Sequence, residues 1–460
     1  MLFQLLAIIA LPLLSASMFI LLRFGWRIAK KYNFTSTELV STVFFFSIFK
    51  VVFYYAIPVL FGLFSGFQYL YQDGYSVIEW AELYAIEATS WIFWLIGFLC
   101  IASLKKNKLI LLDYADIAYR RASASKLLLV SIVVFSIPYS ILNGGYISDI
   151  DYGLPPFFEL FKSLLIYGVG PASILLVVLG LTRWSKFFLV IGSIGVFNLL
   201  ATFSTRGAFI YSFFFLVILG FFFAVRKKKF LFRSCIVFFA ITLLYLNIGG
   251  LPQLALVKDS SLGLALEASF GKEKKQNRSA LEEIEWRFGA PSRMSIAFIK
   301  MYNRGFSAGI NPIKHSFLGF LPRSLNDRKP IPSTVDPENI YSQGMYLIYR
   351  ETYGYNTFSM VEFSSGGHAY WEFGILGVIV LPLIAGVYIA LCAYYFQYFG
   401  VASLALIMVV FKPFGYVDPK IWVSDIVMQL YQIILPLCFL SFLWYLFGKM
   451  MRSLLMPTRR

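Results

Sequence analysis

Runs of roughly 16–25 apolar residues recur from one end of this 460-residue chain to the other, and nothing constrains its fold more. About 20 such residues in a helix span the hydrocarbon core of a bilayer. The composition agrees: 59% hydrophobic, 19% aromatic and only 14% charged, against about 25% charged in a soluble domain. A membrane β-barrel would alternate apolar and polar residues in short segments, and these runs do not alternate. The expected fold class is therefore an all-α polytopic membrane protein. A soluble globular enzyme, a disordered chain and a secreted disulfide scaffold are excluded.

Eleven transmembrane helices are expected, over residues 3–22, 39–61, 88–104, 127–142, 161–181, 187–203, 207–225, 230–249, 372–396, 400–412 and 425–448. The 400–412 run is short and stops at Lys412-Pro413. The first run lacks a basic n-region and a small-residue cleavage site, so it reads as a retained span. Cys100, Cys235, Cys392 and Cys438 lie in apolar runs without a C-x-x-C pair. Packed thiols are expected there, with neither a disulfide nor a zinc site. Lys50 and Lys162 fall inside spans and are expected to snorkel.

The net charge is +16. Such a balance suits nucleic acid, but the cations sit in short clusters between apolar runs, which is how a chain orients against an anionic inner leaflet. One cluster is Arg23, Arg27, Lys30 and Lys31; another is Lys105, Lys106, Lys108, Arg120, Arg121 and Lys126. Further ones are Arg183 with Lys186, Arg226 to Lys229 with Arg233, and the tail with Lys449, Arg452, Arg459 and Arg460. The alternate loops are acidic: Asp73, Glu79, Glu82 and Glu87 in 62–87, and Asp149, Asp151 and Glu159 in 143–160. This alternation puts the N-terminus outside and the C-terminus in the cytoplasm. Residues 1–249 then hold eight spans, 250–371 form one large outer loop, and 372–460 hold three spans and a tail.

The outer loop contains both histidines, His315 and His368, and carries 14 Lys/Arg against 11 acids. Its cations either meet an anionic ligand or form a mixed, solvated surface. Apolar residues at helical spacing from Leu281 to Tyr302, broken at Gly289-Ala290-Pro291, predict two short helices. Asp336-Pro337 predicts the start of another. Amphipathic helices of this kind can lie at the outer boundary and roof a cavity.

Four places could carry chemistry. In Ser204-Thr205-Arg206-Gly207-Ala208 two apolar runs abut, and Arg206 either contacts an anion or snorkels. In Leu321-Pro322-Arg323 and Arg328-Lys329-Pro330, prolines stiffen the chain around a guanidinium fork and an ammonium, both suited to phosphate; a solvated turn is the plainer alternative. Trp286-Arg287-Phe288-Gly289 and Arg293 can seat a helix at the interface with arginines on headgroups or ligand. In Gly366-Gly367-His368-Ala369-Tyr370-Trp371-Glu372-Phe373-Gly374, His368 and Glu372 are four apart and share a face if the helix starts early, which suits a general base pair; otherwise Glu372 simply favours a helix N-terminus. Asp149-Ile150-Asp151 is a weak divalent-ion pattern. No Walker A, H-E-x-x-H, G-x-S-x-G or G-x-G-x-x-G is present.

On S-T-R-G-A at 204–208, P-R-x5-K-P at 322–330 and G-G-H-A-Y-W-E-F-G-I-L-G at 366–377, the chain resembles the Wzy-type oligosaccharide repeat-unit polymerases, relatives of the O-antigen ligases. The layout of many spans and one large, late outer loop is also similar. The resemblance implies a GT-C-like membrane glycosyltransferase of the bacterial inner membrane, without cofactor or resident metal. It would join undecaprenyl-diphosphate-linked oligosaccharides, with a flippase and a chain-length regulator as pathway partners and no nucleic acid. It makes Arg206 and Arg323 diphosphate-binding, supported by Lys329. Arg287 and Arg293 are added to that set from their chemistry, and the expected catalytic residues are His368, Glu372 and Arg323.

Overall fold

The computed structural model describes residues 2–65, 75–104, 114–142, 156–183, 186–201, 215–216, 218–219, 292–293, 295–305, 307, 309–310, 364–400, 402–410, 426, 430–440, 442 and 446. Every regular element among them is helical. In chain order these are α1 (Leu2–Tyr32), α2 (Thr37–Val51), a π-helical turn (Val52–Ala56), α3 (Ile57–Ser65), α4 (Val77–Leu104), α5 (Tyr114–Leu142), α6 (Pro156–Arg183) and α7 (Lys186–Ala201). After them come α8 (295–303), α9 (Ser365–Phe396), α10 (Ala402–Val410) and a π turn at Leu430–Ile434 that continues as helix to 440. Five stretches are long and apolar enough to cross a membrane: Phe3–Tyr32, Thr37–Leu60, Val77–Leu104, Leu164–Leu181 and Gly366–Phe399. This is the architecture of a polytopic all-α membrane protein.

Several helices run further than apolar content alone predicts. Arg23, Arg27, Lys30 and Lys31 ride on the last turns of α1, where Lys30 Nζ sits 4.5 Å over the Trp26 ring. The largest difference is α4, which starts at Val77 rather than near residue 88. Ser76 and Glu79 form a reciprocal cap: Glu79 N–H donates to Ser76 Oγ at 3.3 Å, and Ser76 N–H donates to Glu79 Oε2 at 2.7 Å. Glu79, Glu82 and Glu87 are therefore helix residues, not loop residues. In the opposite sense, α10 has only nine residues, all buried except the half-buried Leu404. At 1.5 Å per residue it is about half a bilayer core in length, and it is enclosed by α2, α6 and α9.

Lys50 does not snorkel. It is 2% exposed, with its ammonium 4.9 Å from the Tyr54 ring and 5.8 Å from the Phe46 ring. These residues are four apart on one face, so the rings flank the cation from both sides. The π turn follows at once, and the Tyr55 carbonyl accepts from Tyr84 Oη at 3.1 Å. The thiols are only partly packed: Cys392 is buried, whereas Cys100 and Cys438 are exposed on their helices. An outward thiol on an apolar helix behaves as one more small apolar group. Lys162, Cys235, the expected span at 230–249 and most of that at 207–225 lie outside the described side chains.

The bundle centres on α4 and α9. Their heads meet where Gly367 N–H donates to Glu87 Oε1 at 3.0 Å, and their middles cross where Gly97 lies on the backbone of Leu383 and Val387 and Gly386 lies on that of Trp94 and Phe98. The two helices therefore run parallel. Small residues allow this backbone-on-backbone approach, which gives apolar helices dispersion contacts that lipid cannot match. Trp91, Trp94 and Phe98 of α4 add a ladder of ring contacts that extends to Phe34 and Phe44. Elsewhere, Asn198 of α7 donates to Ser136 Oγ and accepts from Ser140 Oγ of α5, each at 3.2 Å.

Candidate functional site

At the head of α9 the chain makes a short helix, Ser365 to Glu372, and then breaks. Phe373 (φ −139°, ψ 21°) and Gly374 (φ 61°, ψ −143°) are non-helical. Only glycine adopts the Gly374 geometry without strain. Beyond the break the long apolar helix begins. The break deprives the Trp371 and Glu372 carbonyls of helical partners. Ser307 Oγ donates to both, at 3.1 and 2.7 Å, and Gly309 N–H donates to the Glu372 carbonyl at 3.2 Å.

The short helix starts with Ser364 as N-cap, its Oγ accepting from Gly367 N–H at 3.3 Å. Because the helix begins this early, His368 and Glu372 do share a face: His368 Nδ1 lies 3.2 Å from Glu372 Oε1. Glu372 thus closes a short helix and does not cap the N-terminus of the long one. Phe298 and Trp371 stack at 4.4 Å, and each meets the His368 ring edge-on at 5.7 Å.

The third wall is α8, the second of the two helices expected around 281–302. Of the apolar residues that predict it, Ala297, Phe298 and Met301 are buried. It packs into the bundle rather than lying over it. Ser364 N–H and Ser364 Oγ both donate to Ser295 Oγ, at 2.8 and 2.6 Å. At its other end Lys300 Nζ meets Glu79 Oε1 at 2.7 Å and lies 4.5 Å over the Tyr75 ring. Tyr370 Oη donates to Asn303 Oδ1 at 3.2 Å and its ring meets Tyr302 at 5.0 Å.

Three ionisable residues are sealed here, Glu87 (0% exposed), His368 (0%) and Glu372 (1%), with Ser295 and Ser364 also buried; Arg293 (2%) is buried two residues before Ser295. Ionised groups buried at the edge of an apolar bundle are costly, each by several kcal/mol. Their concentration at one place makes it the candidate functional site. A carboxylate 3.2 Å from an imidazole, both buried, is a pair of the kind that can take a proton from a hydroxyl. No group of three or more His, Cys, Asp or Glu able to hold a metal occurs among the described residues.

Of the residues singled out from sequence, the structure brings His368 and Glu372 together; Arg293 is buried two residues before Ser295, which accepts from Ser364. Arg206, Arg287, Arg323, Lys329, His315, Asp149, Asp151 and Asp336 lie outside the described residues. Glu87, Ser295 and Ser364 were not anticipated as members of the site. No family model, curated protein or solved structure matches this chain.

Proposed function

We propose that this protein is a GT-C-like membrane glycosyltransferase that joins undecaprenyl-diphosphate-linked oligosaccharide repeat units into a surface polysaccharide on the outer face of the bacterial inner membrane, as Wzy-type polymerases do. The observation that supports it most is the sealed group of Glu87, His368 and Glu372 at the heads of two membrane helices, against which a helix of the large 250–371 segment docks through Ser295.

In this reading a hydroxyl at the non-reducing end of the incoming lipid-linked unit attacks the anomeric carbon of the growing chain. The new glycosidic C–O bond forms as the C–O bond to the lipid diphosphate breaks, and the diphosphate leaves with the electron pair. The hydroxyl proton passes to His368, which Glu372 orients. Negative charge grows on the bridging oxygen, and preorganised cations stabilise it; one such contact is worth ~10²–10³-fold in rate. Arg206, Arg323 and Lys329 take that role, with Arg287 and Arg293. Both substrates are lipid-anchored, so the membrane plane itself lowers the entropy of bringing them together. The N-terminus is outside and the C-terminus in the cytoplasm, and the flippase and chain-length regulator of the pathway are the partners.

The glycan profile of a deletion strain tests this. Single-repeat glycan in place of long chains, restored by the wild-type gene but not by Arg206→Ala or Arg323→Ala, is the expected result. Loss of all attached glycan would assign the protein to ligation or flipping, and an unchanged profile would remove it from the pathway.

A further inference from the structure

Glu87 has no part in the chemistry above, yet it is fully buried on α4, two turns below the half-buried Glu79. Its Oε1 accepts the Gly367 N–H at 3.0 Å, one of the first-turn amides that a helix leaves without an internal partner. Carboxylates are favoured at this positive helix end. Both glycines beside it are there for access. A Cβ on Gly366 would run into the Glu87 carboxylate, and one on Gly367 would run into Ser295 Cβ. Ser295 in turn accepts the two hydrogen bonds from Ser364. Three elements, namely α4, α8 and the short helix, thus converge on Gly366-Gly367, the residues immediately before His368.

We propose that Glu87 is a positioning residue: by holding the Gly367 amide it pins the helix that carries His368 and Glu372 to α4 and keeps α8 docked against it. The proposal rests on His368 and Glu372 being the reactive pair, but part of its test does not. Ser295 and Ser364 can be changed together to cysteine in a chain whose four native cysteines are replaced. The two serine oxygens are 2.6 Å apart, so the pair should cross-link under mild oxidation, and the yield reports docking without reference to activity.

Glu87→Ala is expected to lower the cross-link yield at least ~5-fold and long glycan by roughly ten- to hundredfold, the range for losing a buried hydrogen bond to a charged group. Glu87→Gln keeps an oxygen for the Gly367 amide and should hold both within about threefold of the parent. Completing the cross-link in Glu87→Ala should restore glycan toward the cysteine-pair parent, which a merely destabilised protein would not do. If Glu87→Ala does not reach the membrane, Glu87→Asp, which withdraws the carboxylate by one methylene, is read in its place. Unchanged cross-linking in Glu87→Ala overturns the proposal, as does a Glu87→Gln as defective as Glu87→Ala. Lost docking with undiminished polymer also overturns it. A strain whose glycan never depended on the gene removes the polymerase reading alone and leaves the cross-link result standing.

Discussion

Gly374→Ala probes the break below Glu372. At φ 61° and ψ −143° a residue with a Cβ carries about 1–3 kcal/mol of backbone strain. The added Cβ also runs into the Tyr302 hydroxyl end, and overpacking of this kind costs about 1–3 kcal/mol more. The sum, about 2–6 kcal/mol, is measurable by unfolding the purified protein with SDS in mixed micelles and following the fluorescence of its 9 tryptophans. A double-mutant cycle with Tyr302→Ala separates the two contributions. The clash disappears with the ring and registers as coupling of about 1–3 kcal/mol, whereas the strain belongs to residue 374 and stays. A Gly374→Ala protein within 0.5 kcal/mol of wild type would refute the account of the break. Complete rescue by Tyr302→Ala would refute the strain part of it.

Three further outcomes are expected. Gly97→Ala and Gly386→Ala each destabilise by about 1–3 kcal/mol by prising α4 from α9; since they share one crossing, together they should cost clearly less than their sum, and strict additivity on SDS titration would count against a common contact. Asn198→Ala removes two hydrogen bonds between α5 and α7 and should cost about 1 kcal/mol, at ~0.6 kcal/mol for each such bond within a membrane; no change in the same titration would mean that water or lipid replaces them. His368→Ala should reduce long glycan less than Arg206→Ala or Arg323→Ala, because charge on the departing diphosphate is the larger task; glycan gels of the three strains decide, and a His368→Ala strain more defective than both would reverse the ranking.

The amino-acid pattern reads well where one force dominates. Long apolar runs must become helices in lipid, so the helical class and most helix positions follow from hydropathy alone. The proximity of His368 and Glu372 follows from helical geometry once a start near Ser364 is assumed. The start of α4 is harder, because hydropathy ends a span where charges begin, and Glu79, Glu82 and Glu87 suggest a loop. The competing signal is short and local: Ser76 and Glu79 at cap spacing. Missing it hides Glu87, which looks like loop charge yet is sealed inside the bundle. Ser295 and Ser364 are illegible for another reason, since their meeting depends on two segments 69 positions apart in the chain. Lys50 shows the limit of burial rules: hydropathy marks it as a misfit, and only the arrangement of Phe46 and Tyr54 shows how the interior accommodates it.

The Ser307–Gly309 turn acts as a clasp on the main chain itself. Were Ser307 and Gly309 to lift away, the Trp371 and Glu372 carbonyls would lose the donors that replace their missing helical partners. The carbonyls beside Glu372 are thus held by side-chain and main-chain donors from a segment some 65 positions earlier in the chain.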